Sequence, residues 1–126
     1  ATINAALLNL IDCWITPDLF DSPLDRVMRN WARTDPALRT AFAAADAARL
    51  AAIRAMFLRH GYGRDEADVR ASAVYLTQVG YIDLETAETL EARLRRVPTY
   101  VEIFTGRPAT EAELAAFLRR HAGRIG

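Results

Sequence analysis

The chain has 126 residues, of which 52% are hydrophobic and 25% charged. This length and composition predict one globular domain with its own hydrophobic core and exclude a disordered chain. The formal net charge is +0, so the chain lacks the basic excess from which nucleic-acid-binding domains draw much of their affinity. We therefore do not expect these residues to bind DNA directly.

The cysteine content and the hydropathy bear on the cellular compartment. The single Cys13 excludes an internal disulfide and fits a reducing cytosol. No apolar run approaches the length needed to span a bilayer, and no basic-then-apolar signal opens the chain. The expected location is the cytoplasm, with no membrane contact.

Helix start and stop signals predict six helices, over residues 3–15, 23–33, 36–60, 65–82, 86–105 and 111–122. The predicted starts are a capping residue before a first-turn proline at Thr16-Pro17, Ser22-Pro23 and Asp35-Pro36, and a capping box from Thr110 to Glu113. The predicted left-handed C-terminal caps are Gly61, Gly106 and Gly123. No segment shows sustained period-two alternation, so the predicted fold class is all-α.

The predicted helix over 36–60 carries charges within an apolar arc. The arc consists of Leu38, Phe42, Ala45, Ile53 and Met56. Asp46 and Arg49 fall inside it, at a spacing that lets them pair with each other. Such a pair could orient a polar group of a ligand in an apolar pocket. A purely structural ion pair is the alternative.

The predicted helix over 65–82 is apolar on more than one side. One apolar side consists of Val69, Ala73, Leu76 and Gly80. A second consists of Ala71, Tyr75 and Ile82, and a third of Val74 and Tyr81. A helix of this kind must be covered on several sides. A second subunit is the natural extra cover, because C2 dimers are the commonest oligomers.

The predicted helix over 86–105 has one apolar stripe, formed by Leu90, Leu94, Val97, Val101 and Phe104. Pro98 falls in its middle and should kink it. A short turn at residues 83–85 would join this helix to the 65–82 helix. The two helices could then pair with their symmetry mates in an intersubunit four-helix bundle.

Four segments, taken in order, resemble the C-terminal domain of TetR-type transcriptional regulators. They are Asn30 to Leu38 (NWARTDPAL), Asp46 to Gly61, Asp65 to Tyr81, and Arg93 to Pro108. In that family the corresponding segments are a short helix before a long helix, the long central helix and two dimerisation helices. The resemblance covers roughly residues 24–122.

The resemblance implies a homodimer whose subunits each enclose a small apolar or amphipathic effector. DNA contact would require the family's N-terminal helix-turn-helix domain, which this sequence lacks. Residues 1–126 would form one effector-binding and dimerisation domain, with a partial connecting helix in residues 1–20 and the dimerisation helices in 64–105. Effector binding would be coupled to the distance between the two DNA-binding domains of the dimer.

Candidate ligand-binding residues combine bulky apolar side chains with a few polar ones on apolar helices, the usual lining of a small-molecule pocket. They are Trp14, Met28, Trp31, Phe42, Asp46, Arg49, Met56, Tyr75 and Gln78. The alternative for each apolar member is a place in the core. Candidate dimer-interface residues are Val69, Ala73, Leu76, Gly80, Val97, Tyr100, Val101 and Phe104.

The sequence offers no constellation for catalysis, a metal or another cofactor. His60 and His121 fall at predicted helix C-termini, where the helix dipole favours a cation, and no cluster of ligands accompanies either. Asp12 and Trp14 supply Cys13 with neither a base nor an electropositive setting. We therefore expect a non-enzymatic protein. The alternative function is a helical interaction module that dimerises but has no small-molecule site.

Overall fold

The computed structural model describes residues 2–84 and 88–124, and these residues are helical with no strand. The helices are α1 (Ile3–Ile15), α2 (Ser22–Ala32), α3 (Pro36–Arg59), α4 (Arg64–Asp83), α5 (Leu90–Thr105) and α6 (Glu111–His121), followed by a 3₁₀ turn at Ala122–Arg124. The all-α prediction is confirmed. None of the helices described combines the length and apolarity needed to cross a membrane.

The described residues form two compact units. The terminal unit contains both ends of the chain, residues 2–16 and 88–124, and therefore α1, α5 and α6. The middle unit contains residues 17–84, and therefore α2, α3 and α4. The two predicted dimerisation helices thus belong to different units, and Glu85, in the predicted turn between them, lies outside the described residues.

The terminal unit has a core of large aliphatic and aromatic side chains, because α1 packs against both α5 and α6. Fully or almost fully buried side chains are Leu7, Leu8, Val101 and Phe117. The predicted stripe of α5 faces this core, since Leu94, Val97, Val101 and Phe104 are all buried. Pro98 lies inside α5, as its position in the sequence predicts.

The middle unit is built on the packing of α3 against α4, with α2 contacting both. Ala67 and Ala71 are completely buried, and their small side chains let the two long helices approach closely. Phe57 is also completely buried, and its ring meets Tyr62 edge to face at 5.1 Å between centroids. Residues Gly61 to Gly63 make the turn that reverses the chain between these helices.

The capping signals are confirmed at four positions. Asp35 accepts from the N–H groups of Ala37 and Leu38, and Thr110 and Glu113 form the predicted capping box. Gly61 and Gly106 have φ angles of 88° and 72°, the left-handed conformation expected after a helix.

Other capping predictions were wrong. Thr16 ends α1 instead of starting a helix: its backbone is extended, and its hydroxyl donates back to the Asp12 carbonyl. Asp21, one residue before Ser22, caps α2 by accepting from the N–H of Leu24. Gly123 continues as a 3₁₀ turn without a left-handed cap. Thr89 caps α5, so this helix begins at Leu90, after the predicted start at residue 86; residues 86–87 lie outside the described residues.

Candidate functional site

An open cleft of about 360 Å³ lies among α2, α3 and α4 in the middle unit. Its apolar lining consists of Ala32, Phe42, Ala43 and Val79. Its charged lining consists of Arg29, Arg33, Arg39, Asp46 and Asp83. A volume of this size is within the range of small-molecule sites, which typically combine apolar walls with a few placed polar groups.

Arg29 and Asp46 form a bidentate ion pair at one wall of the cleft. The Arg29 Nη1 and Nη2 atoms donate to the two carboxylate oxygens of Asp46, at 3.0 and 2.6 Å. The Arg29 Nε atom donates to Asp25, one turn earlier on α2, at 2.7 Å. The Arg29 and Asp25 side chains are only 14% and 9% exposed. This geometry fixes the guanidinium between two carboxylates and ties α2 to α3.

Tyr75 of α4 completes the network. Its hydroxyl donates to the Asp46 Oδ1 atom at 2.5 Å and accepts from Arg29 Nη2 at 3.3 Å. The Arg29 guanidinium also lies over the Phe42 ring, 5.1 Å from its centroid, at a distance suited to a cation–π interaction. Side chains from three helices therefore meet at this charged cluster, which defines one edge of the cleft.

The cluster shifts the pKa values of its members in directions that preserve its charges. The hydrogen bond to Asp46 raises the pKa of Arg29, against the opposing effect of burial. Burial pushes the pKa of Asp46 upward, but the hydrogen bonds from Arg29 and Tyr75 outweigh it and hold that pKa below its usual value. Burial and the bond to Asp46 raise the pKa of Tyr75. At neutral pH, Asp46 is therefore ionised and the Tyr75 phenol keeps its proton.

The remaining charged residues of the cleft are more exposed. Arg33 and Asp83 are 3.3 Å apart, with side chains 68% and 41% exposed. Arg39 donates from Nη2 to the Arg33 carbonyl at 2.5 Å and from Nε to the Ala32 carbonyl at 3.3 Å. A guanidinium is favoured at such a helix end, where carbonyls lack partners within the helix.

Of the nine predicted ligand-binding residues, Phe42 and Asp46 line the cleft. Tyr75 adjoins it through its bonds to Arg29 and Asp46. The bidentate partner of Asp46 is Arg29 and not the predicted Arg49, whose positive charge nevertheless helps to lower the pKa of Asp46.

The other predicted ligand-binding residues do not line the cleft. Met56 and Gln78 are buried, Met28 is half-buried, and Trp31 is 59% exposed. Trp14 is half-buried on α1, which belongs to the terminal unit. Bulk and polarity, the properties that point to these residues in the sequence, do not distinguish a cleft wall from a core or an outer surface.

Sequence reasoning missed most of the cleft, including its three arginines. One signal was present, because Asp25 and Arg29 lie four residues apart on α2, the spacing of an intrahelical ion pair. Arg33 and Asp83 carried no such signal, since only the folded chain brings them together. Ala32, Ala43 and Val79 are small apolar residues, which in the sequence look like those of any packed helix face.

The predicted dimer-interface residues separate into two groups. On α4, Val69 and Leu76 are each 66% exposed and Ala73 is exposed, whereas Gly80 is half-buried. On α5, Val97, Val101 and Phe104 are buried, and the half-buried Tyr100 stacks on Phe104 at 5.6 Å. The buried α5 side chains already pack in the core of the terminal unit, so in this conformation they do not offer a surface to a partner.

Comparison with protein-family models, with curated proteins and with solved structures finds no match. The TetR resemblance therefore depends on the sequence segments alone. Within residues 2–84 and 88–124, no group of three histidine, cysteine, aspartate or glutamate side chains is placed to hold a metal ion. His60 caps α3, with its Nδ1 atom 2.8 Å from the Met56 carbonyl. His121 ends α6 beside Asp12.

Proposed function

We propose that this chain binds a small amphipathic molecule in the cleft among α2, α3 and α4, as the effector-binding and self-association part of a TetR-type regulator. The observation that carries the ligand-binding part is the cleft itself. It joins an apolar wall around Phe42 to a fixed ion pair between Arg29 and Asp46. The order of the family-like segments supports the assignment to a regulator, and DNA contact would come from a domain outside these residues.

A cleft-filling substitution tests ligand binding. Ala43 lines the cleft, whereas its neighbour Ala44 is exposed and does not. A small amphipathic library is screened by thermal shift, because a ligand that binds only the folded state must raise the unfolding midpoint. We expect Ala43→Trp to lower the affinity of each hit at least tenfold and Ala44→Trp to leave it unchanged. Hits unaffected by Ala43→Trp, or a screen without hits, would contradict the proposed site.

The exposed apolar side chains of α4 support the self-association part of the proposal. Leu76 is 66% exposed on this helix, and Val69 and Ala73 lie on the same side. A contiguous apolar face of this kind commonly marks a protein–protein contact. Val101 offers no comparable test, since it is completely buried and an aspartate there would disrupt the terminal unit.

Sedimentation of the purified chain tests self-association. We expect a dimer at high micromolar concentration and a shift toward monomer in Leu76→Asp, with helicity retained. Leu118→Asp is the matched control, because Leu118 is also exposed but lies on α6. A wild-type chain that stays monomeric at this concentration would overturn the dimer. A dimer without any cleft ligand would instead favour a helical interaction module, the second candidate, which the exposed α4 face also supports.

A further inference from the structure

We infer that the ligand of the cleft is an amphipathic monoanion, such as a carboxylate on an aliphatic chain, whose charged head lies at Arg39. This inference depends on the proposed ligand-binding function and specifies the chemistry of the ligand. The charged groups around the cleft differ in whether they already pair with a group of opposite charge.

The carboxylates of the cleft are already paired with cations. Both oxygens of Asp46 accept bonds from Arg29, and one also accepts from Tyr75. Asp83 lies beside Arg33 at 3.3 Å. A cationic ligand would have to displace the bidentate, partly buried Arg29 to reach Asp46. This is costly because the Arg29 guanidinium would lose the carboxylate that it pairs with.

Arg39 differs from the other two arginines of the cleft. Its bonds within the described part of the chain go to the carbonyls of Ala32 and Arg33, which carry no formal charge. Its Nη1 atom has no hydrogen-bond partner among the residues that the structure describes. The Arg39 side chain is also exposed, so an anion can reach it from the cleft without displacing a carboxylate.

The charge balance of the lining points to a single negative charge on the ligand. Three arginines and two aspartates line the cleft and leave one positive charge. Asp25 pairs with Arg29, and the charge of Arg49 acts on Asp46; neither residue lines the cleft, and their charges cancel. The α3 N-terminus next to Arg39 is capped by the Asp35 carboxylate, which accepts from the N–H groups of Ala37 and Leu38 and does not line the cleft.

The apolar part of the lining favours a ligand that also carries an apolar group. Phe42 and Ala43 lie on α3, Ala32 on α2 and Val79 on α4, so the wall draws on all three helices. A short aliphatic chain against these side chains would remove apolar surface from water on both sides. A small inorganic anion would leave this wall exposed, and a neutral hydrocarbon would leave the charge of Arg39 uncompensated.

Three probes of equal length and different charge test the inference on the whole chain at pH 7. They are octanoate, octan-1-ol and octylamine, each measured by titration calorimetry below its aggregation concentration. We expect octanoate to bind at least tenfold more tightly than octan-1-ol, and octylamine to bind more weakly than either. We also expect the preference for octanoate to shrink at high salt, because ionic screening weakens an exposed charge–charge interaction.

Variants locate the charged head. Arg39→Gln should remove the preference for octanoate over octan-1-ol, whereas Arg39→Lys should retain most of it. Arg54→Gln is the matched control on the same helix, because Arg54 pairs with Asp68 and does not line the cleft. If Arg39→Gln fails to fold, as judged by circular dichroism, the wild-type comparison of the three probes still decides the charge of the ligand, and a salt-sensitive loss of octanoate affinity in Arg39→Met then decides the place of its head.

The outcomes separate the two proposals. If octan-1-ol or octylamine binds as tightly as octanoate, and Ala43→Trp weakens that binding, the cleft binds ligands but the monoanion is wrong. An octanoate preference that survives in folded Arg39→Gln places the charged head elsewhere and overturns the inference. If no probe binds and the wider screen also yields no cleft ligand, the proposed function fails and the inference fails with it.

Discussion

Arg29 is held in place by two carboxylates and a tyrosine hydroxyl from three different helices. Its guanidinium donates in a fixed fork, so it specifies the positions of Asp25 and Asp46 more narrowly than a lysine could. A buried ion pair adds little net stability relative to an apolar contact, but the loss of one partner is costly. The cluster therefore acts chiefly as a constraint on how α2, α3 and α4 meet.

Asp46→Asn tests the energetic role of this cluster. The substitution keeps the shape of the side chain but removes the charge that Arg29 and Tyr75 hold. We expect it to lower the free energy of unfolding by about 1–2 kcal/mol at pH 7, measured by urea denaturation. Asp68→Asn is the control, because Asp68 makes an exposed pair with Arg54 and should cost less than about 0.5 kcal/mol. Equal effects of the two substitutions would mean that the cluster is energetically an ordinary surface pair.

Asp46→Asn should also change how the free energy of unfolding depends on pH. The pKa of Asp46 is lower in the folded chain than in the unfolded chain, so proton binding favours unfolding. The contribution of Asp46 is fully present above the unfolded pKa of about 4 and is lost as the pH falls through the lower folded value. The difference in stability between wild type and Asp46→Asn should therefore be constant near pH 6 and shrink below about pH 4. A difference that widens in acid would contradict this assignment.

The helix α2 turns its apolar side outward, the reverse of what its amphipathic pattern predicts. Leu24, Val27 and Trp31 are 53%, 55% and 59% exposed, whereas the charged side chains of Asp25 and Arg29 are largely buried. Charge-assisted bonds to Arg29 stabilise this inverted orientation. The small Ala32, 6% exposed, is one of the few α2 side chains packed inward. Helical periodicity alone would have turned the apolar side of α2 toward α3 and α4.

Substitutions on the two sides of α2 test this orientation. We expect Val27→Gln to change the free energy of unfolding by less than about 0.5 kcal/mol, because it alters an exposed side chain. Ala32→Gln places a longer polar side chain into packed surroundings and should cost about 1–3 kcal/mol. Guanidinium denaturation of the two variants gives the comparison. A larger cost at Val27 than at Ala32 would show that the helix faces the other way.

A structural feature of this chain could be predicted from the sequence when the interacting residues lie close together along the chain. Asp35, Thr110 and Gly106 act on backbone groups within a few residues, so their capping roles could be predicted from the sequence. The apolar stripe of α5 could also be predicted, because it requires only helical periodicity. The Arg29–Asp46 pair spans 17 residues and the Arg33–Asp83 pair spans 50. No local pattern selects such partners, and the cleft is therefore the part that sequence reasoning missed.

For the whole molecule, a buried polar contact joins the two ends of the chain within the terminal unit. The Asn4 amide nitrogen donates to the Arg107 carbonyl at 3.0 Å, and its oxygen accepts from the Thr105 hydroxyl at 2.7 Å. Asn4 and Thr105 are 4% and 1% exposed. Because buried polar groups without partners are costly, this contact specifies how α1 meets the end of α5.

Asn4→Ala should therefore cost about 1–3 kcal/mol of unfolding free energy, since it removes a buried amide that makes two hydrogen bonds, to the Arg107 carbonyl and the Thr105 hydroxyl. Asn9→Ala on the same helix is the control, because Asn9 is exposed and alanine is the better helix former there. Its expected effect is neutral or slightly stabilising. Thermal and denaturant unfolding followed by circular dichroism measure both variants. A neutral Asn4→Ala would show that water replaces the Asn4 amide at no cost.

The terminal unit is discontinuous in sequence, and this has a consequence for the order of folding during synthesis. The Asn4–Thr105 bond joins residues 101 apart, and His121 meets Asp12 across 109 residues. The middle unit lies between these partners and is a continuous stretch, residues 17–84 in the described part of the chain. As α1 leaves the ribosome, its partners α5 and α6 have not yet been made, whereas α2, α3 and α4 can already pack together. Early folding of that segment shortens the flexible loop that α1 must close, and so lowers the entropic cost of joining the two ends.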